Sequence, residues 1–222
     1  MIQRRFEFYR FVPEAPQAKI DELGEILRNV GRFIHQVKDS IVASNLADSE
    51  VTMIWEHAYD SPESYEEYMR HPYHACILDR YLMHGCPERI TARTTNLTGL
   101  VGYDIADRGY FRERGLRRVL LLGLRDDATP QHGTALEATL REAPSNAPSM
   151  KLSVIEPNSM GNAWRKTPWS HVWEQTFDDE KGMRAYLDGD SSVAAAERDW
   201  PAYEDGLVAR SYELCYELHA PV

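Results

Sequence analysis

An α+β fold of two tandem ferredoxin-like (βαββαβ) units is what this sequence predicts, and three observations lead there. The chain resembles itself: Arg4-Arg5-Phe6-Glu7-Phe8 matches Arg117-Arg118-Val119-Leu120-Leu121, and Val37 to Val42 matches Met150 to Ile155, both at a spacing of 113. Leu23 and Leu27 match Leu136 and Leu140 at the same spacing. Further on, Trp55-Glu56 matches Trp173-Glu174, Tyr59-Asp60 matches Phe177-Asp178, and Tyr68 matches Tyr186, now at a spacing of 118. The change falls once, in the loop before the third strand, where the second copy carries the longer segment Gly161 to Pro168. Loops tolerate insertions and paired strands do not, so a single step at one loop is what a duplication leaves. Finally, 222 residues, 43% of them hydrophobic, suit two domains of about 100 residues, each with its own core.

The predicted units are residues 1–98 and 116–222, joined by a linker at 99–115 that holds four Gly and several charges. In the first unit, Arg5 to Val12 reads as a strand rich in Phe and Tyr, and Pro13 and Pro16 bracket a helix start. Ile20, Leu23, Leu27, Val30 and Ile34 recur at helical spacing and form one apolar stripe to lie on a sheet. Lys38 to Leu46 and Val51 to Tyr59 read as the next strands, parted by the polar turn Ala47-Asp48-Ser49-Glu50. Ser61 then caps a second helix with Pro62 in its first turn. That helix runs towards Leu82 and stops at Gly85 and Pro87, and Glu88 to Thr95 reads as the fourth strand. From Leu116 the order repeats, ending on Val208 to Leu218. Helices on one side leave each sheet with an apolar face to cover, so the two sheets are expected to pack together as an intramolecular α/β barrel.

A net charge of -10 repels phosphate backbones and sets nucleic acid and anionic membranes aside as partners. Charges interrupt the apolar residues of the first nine positions, unlike a secretion signal, and no run reaches the ~18 apolar residues of a membrane helix. Cys76, Cys86 and Cys215 lie in helical or strand-like stretches and are expected as buried free thiols. The expected location is the cytoplasm and the expected partner a small-molecule substrate. Whether fused barrels pair further as a homodimer is left open.

Residues able to do chemistry concentrate between Met53 and His74. Period-two alternation puts Met53, Trp55, His57 and Tyr59 on one face of the third strand. Tyr68 and His74 would lie ~240° apart on an unbroken helix at ~100° per residue. Pro72 disfavours a helical His71, and a break there redirects His74 towards Tyr68. Histidine, with an ordinary pKa near ~6.5, takes and gives protons at neutral pH, and a phenol donates to a carbonyl that gains charge; an enolising or aldol-type reaction needs both roles. There is no Gly-rich phosphate cradle and no Gly-x-Ser-x-Gly.

The segment from Trp55 to His74, with its aromatic-acid strand end, Tyr68 three residues before His71-Pro72-x-His74, and Val37-Lys38-Asp39 upstream, resembles the stress-responsive dimeric α/β-barrel (Dabb) family. The similarity covers residues 3 to 97 and, more faintly, 117 to 218. Most members pair as homodimers, so the resemblance implies a covalently fused dimer. Members of the olivetolic acid cyclase type are similar at the Tyr and second His, which implies an acid/base couple of Tyr68 and His74. Two strand histidines of those cyclases are replaced here by Arg5 and Met53, although the second copy has His171 at the Met53 position. The second copy also has Gly189-Asp190-Ser191-Ser192 in place of the His-Pro-x-His.

The expectation is therefore a cofactor-independent cyclase or lyase acting on a carbonyl-bearing, aromatic or polyketide-like substrate. His74 is its base and Tyr68 its electrophilic donor; His57, Trp55, Tyr59, Met53, His71, His171 and Tyr186 are its substrate-contacting candidates. The alternative is a non-catalytic stress-responsive ligand-binding barrel in which His71-Pro72-Tyr73-His74 is a helix kink and the two tryptophans are core. No metal is expected: His71, His74 and His84, with His57 or Glu56, are disturbed as a ligand set by Pro72, and no Cys pair has zinc spacing. Haem chemistry, known in neighbouring barrel families, lacks an axial-ligand signature, and no cofactor is expected.

Overall fold

The computed structural model describes residues 2–92, 100–105, 114–160, 167–189, 191–199 and 206–218. The chain divides into two compact units between Phe111 and Arg112. The first contains β1 (Ile2–Tyr9), α1 (Gln17–Arg28), β2 (Asp39–Ser44), β3 (Met53–Tyr59), α2 (Pro62–Arg70), α3 (Asp79–Leu82) and β4 (Leu100–Ile105). Its antiparallel sheet has the order β2-β3-β1-β4. The second contains β5 (Gly115–Leu124), α4 (Pro130–Arg141), α5 (Ala143–Asn146), β6 (Met150–Pro157), β7 (His171–Phe177), α6 (Glu180–Leu187), α7 (Ser192–Asp199) and β8 (Val208–Leu218). Its antiparallel sheet repeats that order as β6-β7-β5-β8. The predicted tandem of ferredoxin-like units is present.

In the first unit the apolar stripe behaves as its spacing requires. Leu23 and Leu27 on α1, then Val30 and Ile34 beyond it, are fully buried against Trp55 and Tyr59 of β3. Each such side chain contributes roughly 1.5–3 kcal/mol on leaving water. Ser61 caps α2 by accepting from the Ser64 amide at 3.2 Å, and Pro62 opens the helix. Asp179 caps α6 in the same way, accepting from Gly182 at 2.8 Å.

The predicted second helix is not continuous. His71 takes an extended backbone (φ -69°, ψ 135°), as Pro72 demands of its predecessor. A π-helical turn, His74–Leu78, follows, with the Asp79 amide donating to the His74 carbonyl, and α3 completes the segment before Gly85 (φ +94°).

The fourth strand also differs from expectation. Of Glu88 to Thr95, residues 93–95 lie outside the described ones, and Thr91 makes only an isolated bridge to Phe11. The strand that pairs with β1 is Leu100–Ile105, inside the stretch read as linker. Gly102 made that stretch look like a loop, but it has a packing reason: a Cβ there would meet the Arg4 carbonyl and lie 2.6 Å from Arg5 Cδ. All three cysteines are free, yet only Cys215 is buried; Cys76 is exposed and Cys86 intermediate, because Cys76 falls on the outer side of the π turn.

Two devices occur in both units. Trp55 Nε1 donates to Ser40 Oγ at 2.8 Å and Ser40 donates to the Leu27 carbonyl at 2.6 Å, stitching β3, β2 and α1 together. Trp173, Ser153 and Leu140 repeat this at 2.8 and 2.7 Å. On the opposite face of each sheet a fully buried ion pair crosses neighbouring strands, Arg4 with Glu56 and Arg117 with Glu174.

Candidate active site

The face of the first sheet beneath the helices should be apolar, and its centre is not. Strand register sets Arg5 beside His57, Glu7 beside Trp55 and Tyr9 beside Met53. The predicted sharing of one face by Met53, Trp55, His57 and Tyr59 is found, with Trp55 stacked on the His57 ring at 3.8 Å between centroids. His57 is fully buried. Its Nδ1 is 2.9 Å from the Tyr59 hydroxyl, and its Nε2 faces Glu7 Oε1 at 3.5 Å, too far for a good hydrogen bond. The Tyr9 hydroxyl donates to the other Glu7 oxygen at 2.7 Å. Burial lowers the pKa of His57 against the opposing pull of Glu7. Burial also raises Tyr9, Tyr59 and Tyr68 well above an ordinary phenol, and pushes Tyr65 up to about 12. These phenols hold their protons and serve as donors.

Tyr68 comes from α2 and His74 from the π turn. The break at His71 brings them edge to face, with ring centroids 4.5 Å apart at 70°. Both are nearly excluded from water. Asp79, at the far end of the same π turn, places Oδ2 3.7 Å from His74 Nδ1. Burial raises the Asp79 carboxyl and His74 opposes that shift. Tyr68 also packs on Tyr59 at 5.3 Å and Tyr65 at 6.1 Å between ring centroids. The result is an aromatic wall with an imidazole and a phenol at its centre.

The remaining candidates separate. His71 accepts from the Tyr73 amide at 3.1 Å and so braces the helix break. Met53 reaches the α1 backbone, where a Cβ at Gly24 would be 3.5 Å from its Cε. His171 opens β7 and lies 3.4 Å from Glu137 and 3.0 Å from Ser170 Oγ, with its pKa lowered by burial. Tyr186 lies at the other end of β7, 5.8 Å from Phe177, and donates to Glu197 at 3.0 Å. His171 and Tyr186 thus belong to separate clusters at opposite ends of β7. Sequence reasoning missed Glu7, Tyr9 and Asp79. The first two had a visible signal: Arg5, Glu7 and Tyr9 alternate along β1 on a face the helices cover.

In the second unit the corresponding centre is closed by charge pairing. Arg118 lies 2.5 Å from both Glu197 and Glu213 and donates to Gln175 at 3.1 Å. Burial weakens its hold on the proton, and the two carboxylates more than restore it. Among the described residues, no three His, Cys, Asp or Glu side chains converge as a metal site requires, and no helix is long and apolar enough to cross a membrane.

A family model described as a stress-responsive A/B barrel domain matches residues 4–91 and, again, 116–213. No curated protein sequence matches the chain. Among solved structures, an anthrone oxidase-like protein is similar at a TM-score of 0.62 and 15% identity, covering 99% of this chain and 92% of that one. A Fusobacterium nucleatum subsp. nucleatum protein with a provisional monooxygenase designation is similar at 0.59 and 10%, covering 98% and 92%. A chlorite dismutase variant from Candidatus Nitrospira defluvii is similar at 0.56 and 8%, covering 98% and 91%. At these identities the likeness is one of fold.

Proposed function

Because this chain belongs to the stress-responsive A/B barrel domain family and carries the domain twice, we propose that its first unit is the active half of a cofactor-independent small-molecule enzyme. Its first step removes a proton from a carbon whose anion is conjugated with a carbonyl, either beside it or, as at C10 of anthrone, across an aromatic ring. His74 takes that proton, Asp79 steadies the imidazolium that results, and Tyr68 donates to the carbonyl oxygen as it gains negative charge. One observation carries the reading: an imidazole and a phenol meet 4.5 Å apart in a nearly water-free wall of tyrosines. That wall favours a flat, aromatic or polyketide-like substrate. The resulting enolate has more than one outlet. Attack on a second carbonyl closes a ring, as a cyclase would; capture of dioxygen gives an oxidised product, the outcome that the names of the anthrone oxidase-like and monooxygenase-designated neighbours bring to mind.

Anthrone labelled with tritium at C10 tests the shared step, because loss of label to water reports proton removal whatever follows. The full chain is expected to accelerate this release without oxygen. His74→Ala and Tyr68→Phe are each expected to reduce it by about 10²–10⁴-fold while the far-ultraviolet spectrum is unchanged. The reading fails when the wild-type chain adds nothing to the buffer rate or when both variants match it. In air, oxygen uptake distinguishes the outlets: oxidation consumes one dioxygen per anthrone and yields anthraquinone and water.

A further inference from the structure

Resting on the reading of this aromatic wall as a substrate site, we propose that Glu7 and His57 form a clamp for one hydroxyl group, so that the site selects hydroxylated aromatic substrates over plain ones. The two side chains face each other from neighbouring strands, with Glu7 Oε1 3.5 Å from His57 Nε2. That gap is too wide for a good direct hydrogen bond, but an oxygen set beside both atoms can lie about 2.8 Å from each. His57 is fully buried, and its Nε2 has no hydrogen-bond partner. The Tyr9 hydroxyl holds Glu7 Oε2 at 2.7 Å, and among the described residues nothing donates to Oε1. Arg5, the preceding residue on the same face of β1, directs its guanidinium to the Arg4 and Tyr103 carbonyls at 2.7 and 3.4 Å, and to Asp104 at 3.7 Å. The 17% exposure of the Glu7 side chain marks where a ligand group enters.

The chemistry of the pair decides which group fits. A lone pair on Nε2 would be repelled by the carboxylate it faces, so the ring hydrogen belongs on Nε2 and Nδ1 accepts from the Tyr59 hydroxyl at 2.9 Å. The clamp then offers one donor and one acceptor side by side. A hydroxyl satisfies both, accepting from Nε2–H and donating to Oε1. A carbonyl or ether oxygen satisfies the imidazole but turns a lone pair on the carboxylate, and a phenolate or carboxylate brings like charge against Glu7. A bare aromatic edge satisfies neither and leaves both groups buried without partners. The His57 ring centre lies 6.2 Å from that of Tyr68, close enough for one flat molecule to reach the clamp and the phenol together.

The sibling unit provides an independent observation. At the same strand register it has Leu120 for Glu7, Gln175 for His57 and Phe177 for Tyr59. No carboxylate faces an imidazole there, yet the Trp173–Ser153 bridge and the Arg117–Glu174 pair are intact around these positions. The fold therefore does not require the polar pair, and a buried histidine with an unpartnered nitrogen is explained by what it binds.

The test reads binding apart from turnover. Anthraquinone, its 1-hydroxy and 2-hydroxy derivatives and their methyl ethers have no C10 proton to lose, and their affinities for the full chain are measured by tryptophan fluorescence at a pH that keeps the phenols protonated. The 2-hydroxyl, unlike the 1-hydroxyl, is not turned inward on the neighbouring carbonyl. The 2-hydroxy compound is therefore expected to bind at least about tenfold more tightly than anthraquinone or the 2-methyl ether. Glu7→Leu and His57→Gln, both taken from the sibling, are each expected to bring that ratio to within about twofold of one. Glu7→Gln keeps the shape and removes the charge; it is expected to lower the ratio as well, and it serves where Glu7→Leu disturbs folding. A wild-type chain that binds none of the ligands, or prefers neither hydroxyl isomer, overturns the clamp, as does a preference that survives in all three variants. Tyr68→Phe is expected to keep the ratio. A wild-type rate of tritium release from anthrone in that variant would remove the acid/base reading, while the binding ratio still decides the clamp.

Discussion

Set side by side, β1 and β3 of the first unit and β5 and β7 of the second share register, a tryptophan-to-serine bridge and a buried Arg–Glu pair, yet part company where side chains meet the helices. The first unit has Glu7, Tyr9, His57 and Tyr59 there; the second has Leu120, Leu122, Gln175 and Phe177. Polarity has moved along the strand as well. Met53 against Gly24 at one end of β3 becomes His171 against Glu137 at the matching end of β7. The second unit neutralises its central arginine with two carboxylates at 2.5 Å, while the first keeps the His57 imidazole 3.5 Å from Glu7, beyond good hydrogen-bonding distance. What recurs in both units holds the fold; what occurs in one is free to do chemistry.

The largest expected effect lies in what recurs. Glu56→Ala and Glu174→Ala each remove the carboxylate paired with a fully buried arginine and are expected to cost about 3–5 kcal/mol in urea unfolding. The two losses should be alike, and a loss under about 1 kcal/mol in either would break the equivalence. Next comes acid sensitivity. The lowered pKa values of His57 and His171 mean that each is neutral when folded and takes up a proton on unfolding in acid. Each therefore adds stability that is fully present above about pH 6.5 and is lost as pH falls towards the depressed native value. The slope for one histidine is at most about 1.4 kcal/mol per pH unit. Around His57 it is shaped by Glu7, Arg5 and Glu56, and around His171 by Glu137. His57→Gln and His171→Gln should each flatten the acid limb of a stability-pH curve, and an unchanged limb in both would show that neither histidine drives it. The smallest effect belongs to the bridges: Ser40→Ala and Ser153→Ala should each cost about 1 kcal/mol by thermal melting, again as a matched pair.

Much of the fold could be read before coordinates, because duplication prints each element twice and the helical stripe is unambiguous. The fourth strand could not. Ile90, Thr91, Thr94 and Thr95 have the stronger β-propensity, but pairing with a central strand decides the matter, and Leu100–Ile105 pairs with β1. Gly102 misled because its missing side chain makes room for Arg5, a long-range packing fact that local composition does not contain. In the site, Pro72 correctly foretold the approach of His74 to Tyr68. Asp79 stayed hidden, since its nearness to His74 depends on a π turn with no sequence signature. Glu7 was passed over although its alternation with Arg5 and Tyr9 was in plain view.

That π turn has an implication for ancestry. A π turn amounts to one extra residue accommodated in a helix, and here the surplus lies between the imidazole and the apolar residues Leu78 and Tyr81, both sealed in the interior. Because the turn absorbs its surplus locally, excising one codon from it would restore an ordinary helical turn and leave Leu78 and Tyr81 facing the interior. What would change is the spacing of His74 and Asp79, which lie across that turn. One reading-frame-neutral event would therefore unmake the pairing of imidazole and carboxylate while sparing the fold around it.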